Sequence, residues 1–160
     1  MVSMAVLKIL RVPEQKLYQK SGAIYSFGPL THNMVFDLFE TMYAAHGVGL
    51  AAPQVGWMDR LAVIDVTCGD DEAARVVLIN PKIIEAEGEQ EAEEGCLSIP
   101  GWKTRITRSF RVRVKAKDER GKNFEMDCEG LLARAVQHEL DHLSGRLISR
   151  FAMSNQEISG

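Results

Sequence analysis

An α+β fold with mainly antiparallel strands is predicted by three features of this chain. Residues 110–117 alternate, with Val112, Val114 and Ala116 on one side and Arg111, Arg113, Lys115 and Lys117 on the other. Period-two charge of this kind is the wet face of an antiparallel strand, and it outweighs the nucleic-acid reading that a basic cluster invites. A turn around Gly121 and a second strand over 123–128 complete a hairpin. Beyond it, Leu131, Ala135, His138 and His142 recur at helical spacing between Gly130 and Gly145, which act as start and stop signals.

The remaining elements follow in chain order. Residues 6–12 are mostly apolar, and Pro13 with Glu14 opens a short helical turn or loop. Thr31 is a good N-cap, after which Met34, Val35, Leu38, Phe39, Met42 and Tyr43 fall on a helical stripe that Gly47 ends. His32 and His46 flank this helix and read as cap or surface residues. Residues 61–66 and 75–80 are predicted as buried strands, joined through a polar turn carrying Cys68. Residues 85–94 are crowded with acids and read as a solvated hairpin or loop. Leu147 and Ile148 return to the core, and residues 154–160 form a loose tail.

A chain of 160 residues with no internal repeat or linker is read as one domain, 1–160. A formal charge of −3 gives no reason to expect direct nucleic-acid binding. No apolar run reaches the roughly 20 residues that span a membrane. The N-terminus lacks the charged, apolar and small succession of a secretory signal. Three cysteines, an odd number spread along the chain, point to a reducing compartment, so the cytoplasm is the expected location.

The stretch that carries chemistry is Gln137-His138-Glu139-Leu140-Asp141-His142-Leu143. Histidines four apart on a helix project from one face and can grip one divalent ion. Glu139 between them is placed to exchange a proton with the water that such an ion activates. The same pattern occurs in unrelated helices with packed or solvated histidines. Here the stripe leading to it is apolar, so both rings are expected to point inward, where they need partners.

A catalytic site of this type takes three protein ligands and leaves a fourth position open. The extended zinc-protease pattern would place a third histidine at position 148, which is Ile148, and downstream only Glu157 offers a carboxylate. The third ligand is therefore sought upstream. Cys96, in Glu94-Gly95-Cys96-Leu97-Ser98, is the best candidate, because the preceding glycine allows a tight turn and a thiolate suits zinc or ferrous iron. Cys68 and Cys128 read as ordinary small residues, Cys128 within a strand. The turn Gly47-Val48-Gly49-Leu50-Ala51-Ala52-Pro53-Gln54 lacks the ending of a phosphate loop. Alone it is more often a tight connection than a site, although the Gln54 amide could donate to a developing oxyanion.

These three segments, in this order, resemble the motifs of the peptide deformylases, which remove the N-formyl group from newly made bacterial polypeptides. The similarity runs from about residue 4 to residue 151. It implies mixed, mainly antiparallel sheets wrapped around a central metal-binding helix. It further implies Cys96, His138 and His142 as metal ligands, Glu139 as general base and acid, and Gln54 with the Leu97 N–H as oxyanion donors. The backbone at Val48 and Gly49 would pair with an extended substrate, and Val48, Leu131, Ala135 and the His138 ring would line a methionine pocket. For Leu131 and Ala135 plain helix packing is the competing reading. The implied cofactor is one Fe2+, with Ni2+, Co2+ or Zn2+ as substitutes, and the implied partners are N-formylmethionyl peptides.

Three features depart from the family pattern. Arg134 stands where an apolar residue is common, near the pocket mouth, and Lys103 stands where arginine is common. Only residues 143–160 follow the motif, which is short of the C-terminal helix linked to ribosome docking, so ribosome proximity is not expected to extend to docking. The competing readings are a metallopeptidase and a non-enzymatic domain with a structural metal.

Overall fold

A computed structural model describes residues 6–151, and the expected tail at 154–160 lies outside them. The strand–helix order begins with helix α1 (Pro29–Ala44), then β1 (Gly49–Ala51), β2 (Leu61–Ile64) and β3 (Val76–Glu87). It continues with β4 (Gln90–Cys96), β5 (Ile99–Arg108), β6 (Arg111–Lys117), β7 (Asn123–Glu129) and helix α2 (Gly130–Leu143). All ladders are antiparallel: β1-β2-β3-β6-β7 form a five-stranded sheet, and β4-β5 form a separate ribbon. The α+β reading holds.

The predicted hairpin is in register from Arg111 opposite Glu129 to Lys117 opposite Asn123. Val112, Val114, Ala116 and Cys128 turn inward against Ala133, Ala135 and Val136 of α2. On the wet face, Arg111 and Arg113 pair with Glu85, Glu87, Glu125 and Asp127. The basic stripe is thus matched by acids on the neighbouring strands.

Three boundaries differ from expectation for physical reasons. Helix α1 starts at Pro29, not after Thr31, because proline at the first helical position has no N–H to satisfy. Thr31 is buried inside the first turn, and its hydroxyl donates to Ser26 O at 3.0 Å. At the other end His46 (φ 56°), not Gly47, takes the left-handed position. Strand β3 does not stop at Asn80. It passes through Pro81 to Glu87, with register shifts on either side of Lys82 and Ile83 that absorb the missing donor. Asn80 (φ 52°) sits at the first irregularity, where its side chain exchanges two hydrogen bonds with the Ile24 backbone.

The acidic run, expected as a solvated hairpin or loop, is the end of β3 and most of β4. Glu85, Glu87, Glu89, Glu91 and Glu93 are exposed as expected, but alternation buries Glu94 at 6 % exposure.

The core lies where α1 meets β1, β2 and β3: Leu38 and Met42 are wholly buried with Leu50, Leu61, Val63 and Ile79. Leu38→Ala is expected to cost about 2–5 kcal/mol in urea unfolding, the range for leucine-sized cavities. After α2, Gly145 (φ 75°) stops the helix in close approach to the Tyr18 backbone, and Leu147 and Ile148 return to the core as expected. Among the described residues no helix is long and apolar enough to cross a membrane.

Candidate metal centre

Helix α2 enters the space between the sheet and the β4-β5 ribbon and carries both motif histidines. Its hydrophobic face sets their direction, since Ala133, Val136 and Leu143 are fully buried. His142 is 1 % exposed, and Glu139 is 4 % exposed. Leu131, expected on the inward stripe, is instead 54 % exposed at the rim of the cleft, so core packing does not explain it. Ala135, one turn deeper, is buried and also lines the cleft.

Cys96 ends β4, where the register against β5 slips between Gly95 and Cys96. That slip delivers the sulfur to the histidines. Cys96 Sγ lies 3.3 Å from His142 Nε2, and the two Nε2 atoms are 3.2 Å apart. One ligand atom from each of the three residues falls within 4.8 Å of the others. Such a triangle fits one ion at bond lengths of about 2.0–2.3 Å.

The electrostatics agree with a cation site. Burial works against charge on His138, but the Cys96 sulfur and Glu94 win and push its pKa up to about 10 in the metal-free chain. Burial and the neighbouring His138 charge drive His142 far below its ordinary value. Two imidazoles facing one another thus hold a single positive charge, at the point where a divalent ion would take the proton's place.

Glu94 organises the surroundings. His138 Nδ1 donates to its Oε1 at 2.9 Å, the usual carboxylate support for a ligating imidazole. Arg108 grips both oxygens, at 2.5 and 2.9 Å, and Arg134 donates to Oε2 at 2.5 Å. Burial would raise the Glu94 pKa, but His138 and Arg108 outweigh it and hold the carboxyl at about 2. The sequence reading missed Glu94. Its signal was the alternation of Gln90, Ala92 and Glu94 on one side of β4. Arg134, expected near the pocket mouth, does line the cleft, yet its side chain is 6 % exposed and its guanidinium is bound to Glu94.

Gln54 is brought to the centre by the short 3-10 turn that follows β1. Its Oε1 accepts the Ala51 N–H at 2.9 Å, which turns the amide nitrogen toward Ser98 Oγ at 3.1 Å and Cys96 Sγ at 3.9 Å. Val48, Gly49, Leu97, Ala135, His138 and Glu139 line the same cleft, of about 640 Å³. Glu139 Oε1 is buried without a hydrogen-bond partner, and burial pushes its pKa up to about 7. A carboxyl poised to gain or lose a proton around neutral pH, beside a cation site, is suited to moving protons. Lys103, exposed on β5, borders the cleft opening.

Comparison with known proteins shows which family the chain resembles. Residues 6–157 match the family described as polypeptide deformylase. A peptide deformylase of Thermodesulfovibrio yellowstonii is 47 % identical over 145 residues, 91 % of this chain and 88 % of that protein. The crystal structure of a peptide deformylase from Legionella pneumophila is 42 % identical with a TM-score of 0.86, covering 96 % of this chain and 93 % of that one. The peptide deformylase structure from Thermotoga maritima also gives 0.86, at 39 % identity, over 91 % of this chain and 97 % of that one. With the motif residues converging in one cleft and likeness extending over nearly the whole length, the chain belongs to the polypeptide deformylase family.

Proposed function

We propose that Cys96, His138 and His142 hold one ferrous ion, with which the protein hydrolyses the N-formyl group of N-formylmethionyl polypeptides and releases formate. Deformylation is the activity of the family. The residue roles and the choice of metal are our reading. The observation that carries it is the convergence of one thiol and two imidazoles on a cleft that also holds a buried, unpartnered carboxylate oxygen.

A thiolate among the ligands favours a soft ferrous ion, and Ni2+ or Co2+ are fitting substitutes, with Zn2+ poorer. When bound, the ion supplies Lewis acidity, polarising the formyl carbonyl and making water a better nucleophile. Glu139 takes a proton from the attacking water and delivers it to the departing amine. Gln54 Nε2 and the Leu97 N–H donate to the oxyanion that develops on the formyl oxygen. Ala51 fixes the Gln54 amide in the donating orientation before substrate arrives. The backbone at Val48 and Gly49 pairs with the extended peptide. Val48, Leu131, Ala135 and the His138 ring flank the methionine side chain, which makes exposed Leu131 a substrate contact.

We further read residues 1–160 as a single catalytic domain acting in the cytoplasm on N-formylmethionyl peptides.

Anaerobically purified protein is expected to contain stoichiometric iron and to release formate from formyl-Met-Ala-Ser, while leaving unformylated peptides intact. Cleavage of the unformylated peptides would instead indicate a metallopeptidase. Gln54→Ala is expected to lower kcat about 10²–10³-fold with little change in KM, the usual effect of losing one oxyanion donor. A change confined to KM would remove Gln54 from that role.

A further inference from the structure

We infer that Arg134 is a positioning residue that locks the strand carrying Cys96 onto the helix carrying the two histidines, and so sets how tightly the centre retains its metal. This rests on the reading of Cys96, His138 and His142 as ligands.

The ligand set is divided between two elements: Cys96 ends β4, and both histidines stand on α2. Metal sites tolerate ligand displacements of only about 0.2 Å, so the two elements must be fixed against each other. Arg134 makes that connection at three points. Its NH1 donates to Glu94 Oε2 at 2.5 Å and to Ile106 O at 3.1 Å, and its NH2 donates to Gln90 O at 3.1 Å. Glu94 and Gln90 belong to β4 and Ile106 to β5, so one buried guanidinium spans both strands of the ribbon from α2.

Its place on the helix adds a second constraint. Arg134 precedes His138 by four residues, so the two stand on adjoining turns of one face. They hold opposite oxygens of the same carboxylate, Arg134 on Oε2 and His138 Nδ1 on Oε1. The carboxylate that orients the His138 ring is therefore itself anchored one turn away on the helix. Arg108 grips Glu94 more extensively, but among the described residues its own ion pair with α2 is to Asp141, whose side chain is 23 % exposed. The three acceptors are served from two guanidinium nitrogens held in one plane, a spread that the single nitrogen of an ammonium cannot reproduce.

The test uses the 160-residue protein loaded with Co2+, with Arg134→Met and Arg134→Lys as variants. Metal release to a chelator, the thiolate-to-cobalt charge-transfer band and the thermal midpoint are measured on each. Arg134→Met is expected to release cobalt about 10–100-fold faster, with an altered charge-transfer band, as for other residues that support metal ligands. Arg134→Lys is expected to fall between it and the unmodified protein. Wild-type release rates and spectrum in a folded Arg134→Met protein, whatever its thermal midpoint, would overturn the inference. If that variant does not fold, the same two readouts on Arg134→Lys decide. Absence of any thiolate band in the unmodified protein would instead overturn the ligand assignment, and this inference with it.

Discussion

Glu139→Gln is expected to lower turnover about 10²–10⁴-fold, the usual contribution of a positioned acid–base group. Bound metal should remain stoichiometric, because the ligand triangle of Cys96, His138 and His142 does not include Glu139. The pH dependence separates this role from a structural one. To accept a proton Glu139 must be ionised, so kcat/KM falls as pH drops through its pKa. Burial pushes that pKa up to about 7, and a positive charge at His138 pulls it back. A divalent ion pulls it down further, so the acid limb of the loaded enzyme is expected below pH 7.

Stability in the metal-free protein runs the other way. A carboxyl whose folded pKa is raised from 4.5 to about 7 favours folding most when protonated. That contribution is complete below about 4.5 and is lost as pH rises through about 7. The neutral amide of Glu139→Gln removes the pH-dependent loss, so at pH 8 this variant is expected to melt no lower than the unmodified protein. A substantial fall in melting temperature, or an unchanged acid limb in the residual activity, would remove Glu139 as the proton carrier.

Much of this centre was legible in the sequence because its chemistry is local. His138, Glu139 and His142 lie within five residues on adjoining turns of one helix, and a thiol after a glycine is a recognisable candidate ligand. What escaped was long-range. Glu94 sat in a run of acids whose composition suggested solvation, and only its partners show otherwise: Arg108 from β5, and Arg134 and His138 from α2. The strand expected over 75–80 runs on through Pro81 in β3, because register shifts accommodate the missing ladder donor and no local signal announces them. Leu131 was placed on the buried stripe by periodicity, yet the first turn of α2 projects past the core, so the same spacing leaves it at the cleft rim. The inward face of the 110–117 strand was read correctly, since alternation there coincides with the burial it reports.

The resemblance to the peptide deformylases implies a backbone role for Gly49 toward substrate, and the structure adds a steric one toward Glu139. A Cβ on Gly49 would collide with the Glu139 carboxylate, meeting its Cδ at 3.0 Å and its Cγ at 3.2 Å. The backbone cannot yield easily, because Gly49 is held opposite Ile64 in the ladder with β2. The carboxylate can, since it is the free end of a side chain. Gly49→Ala is therefore expected to leave a folded protein with its metal in place and its base displaced, lowering kcat about 10²-fold or more. The decisive comparison is the double variant. If the alanine acts by moving Glu139, then Gly49→Ala combined with Glu139→Gln should be scarcely slower than Glu139→Gln alone, because one function cannot be lost twice. Full multiplication of the two losses would show instead that the alanine obstructs the peptide, and that the missing side chain at position 49 serves the substrate rather than the base.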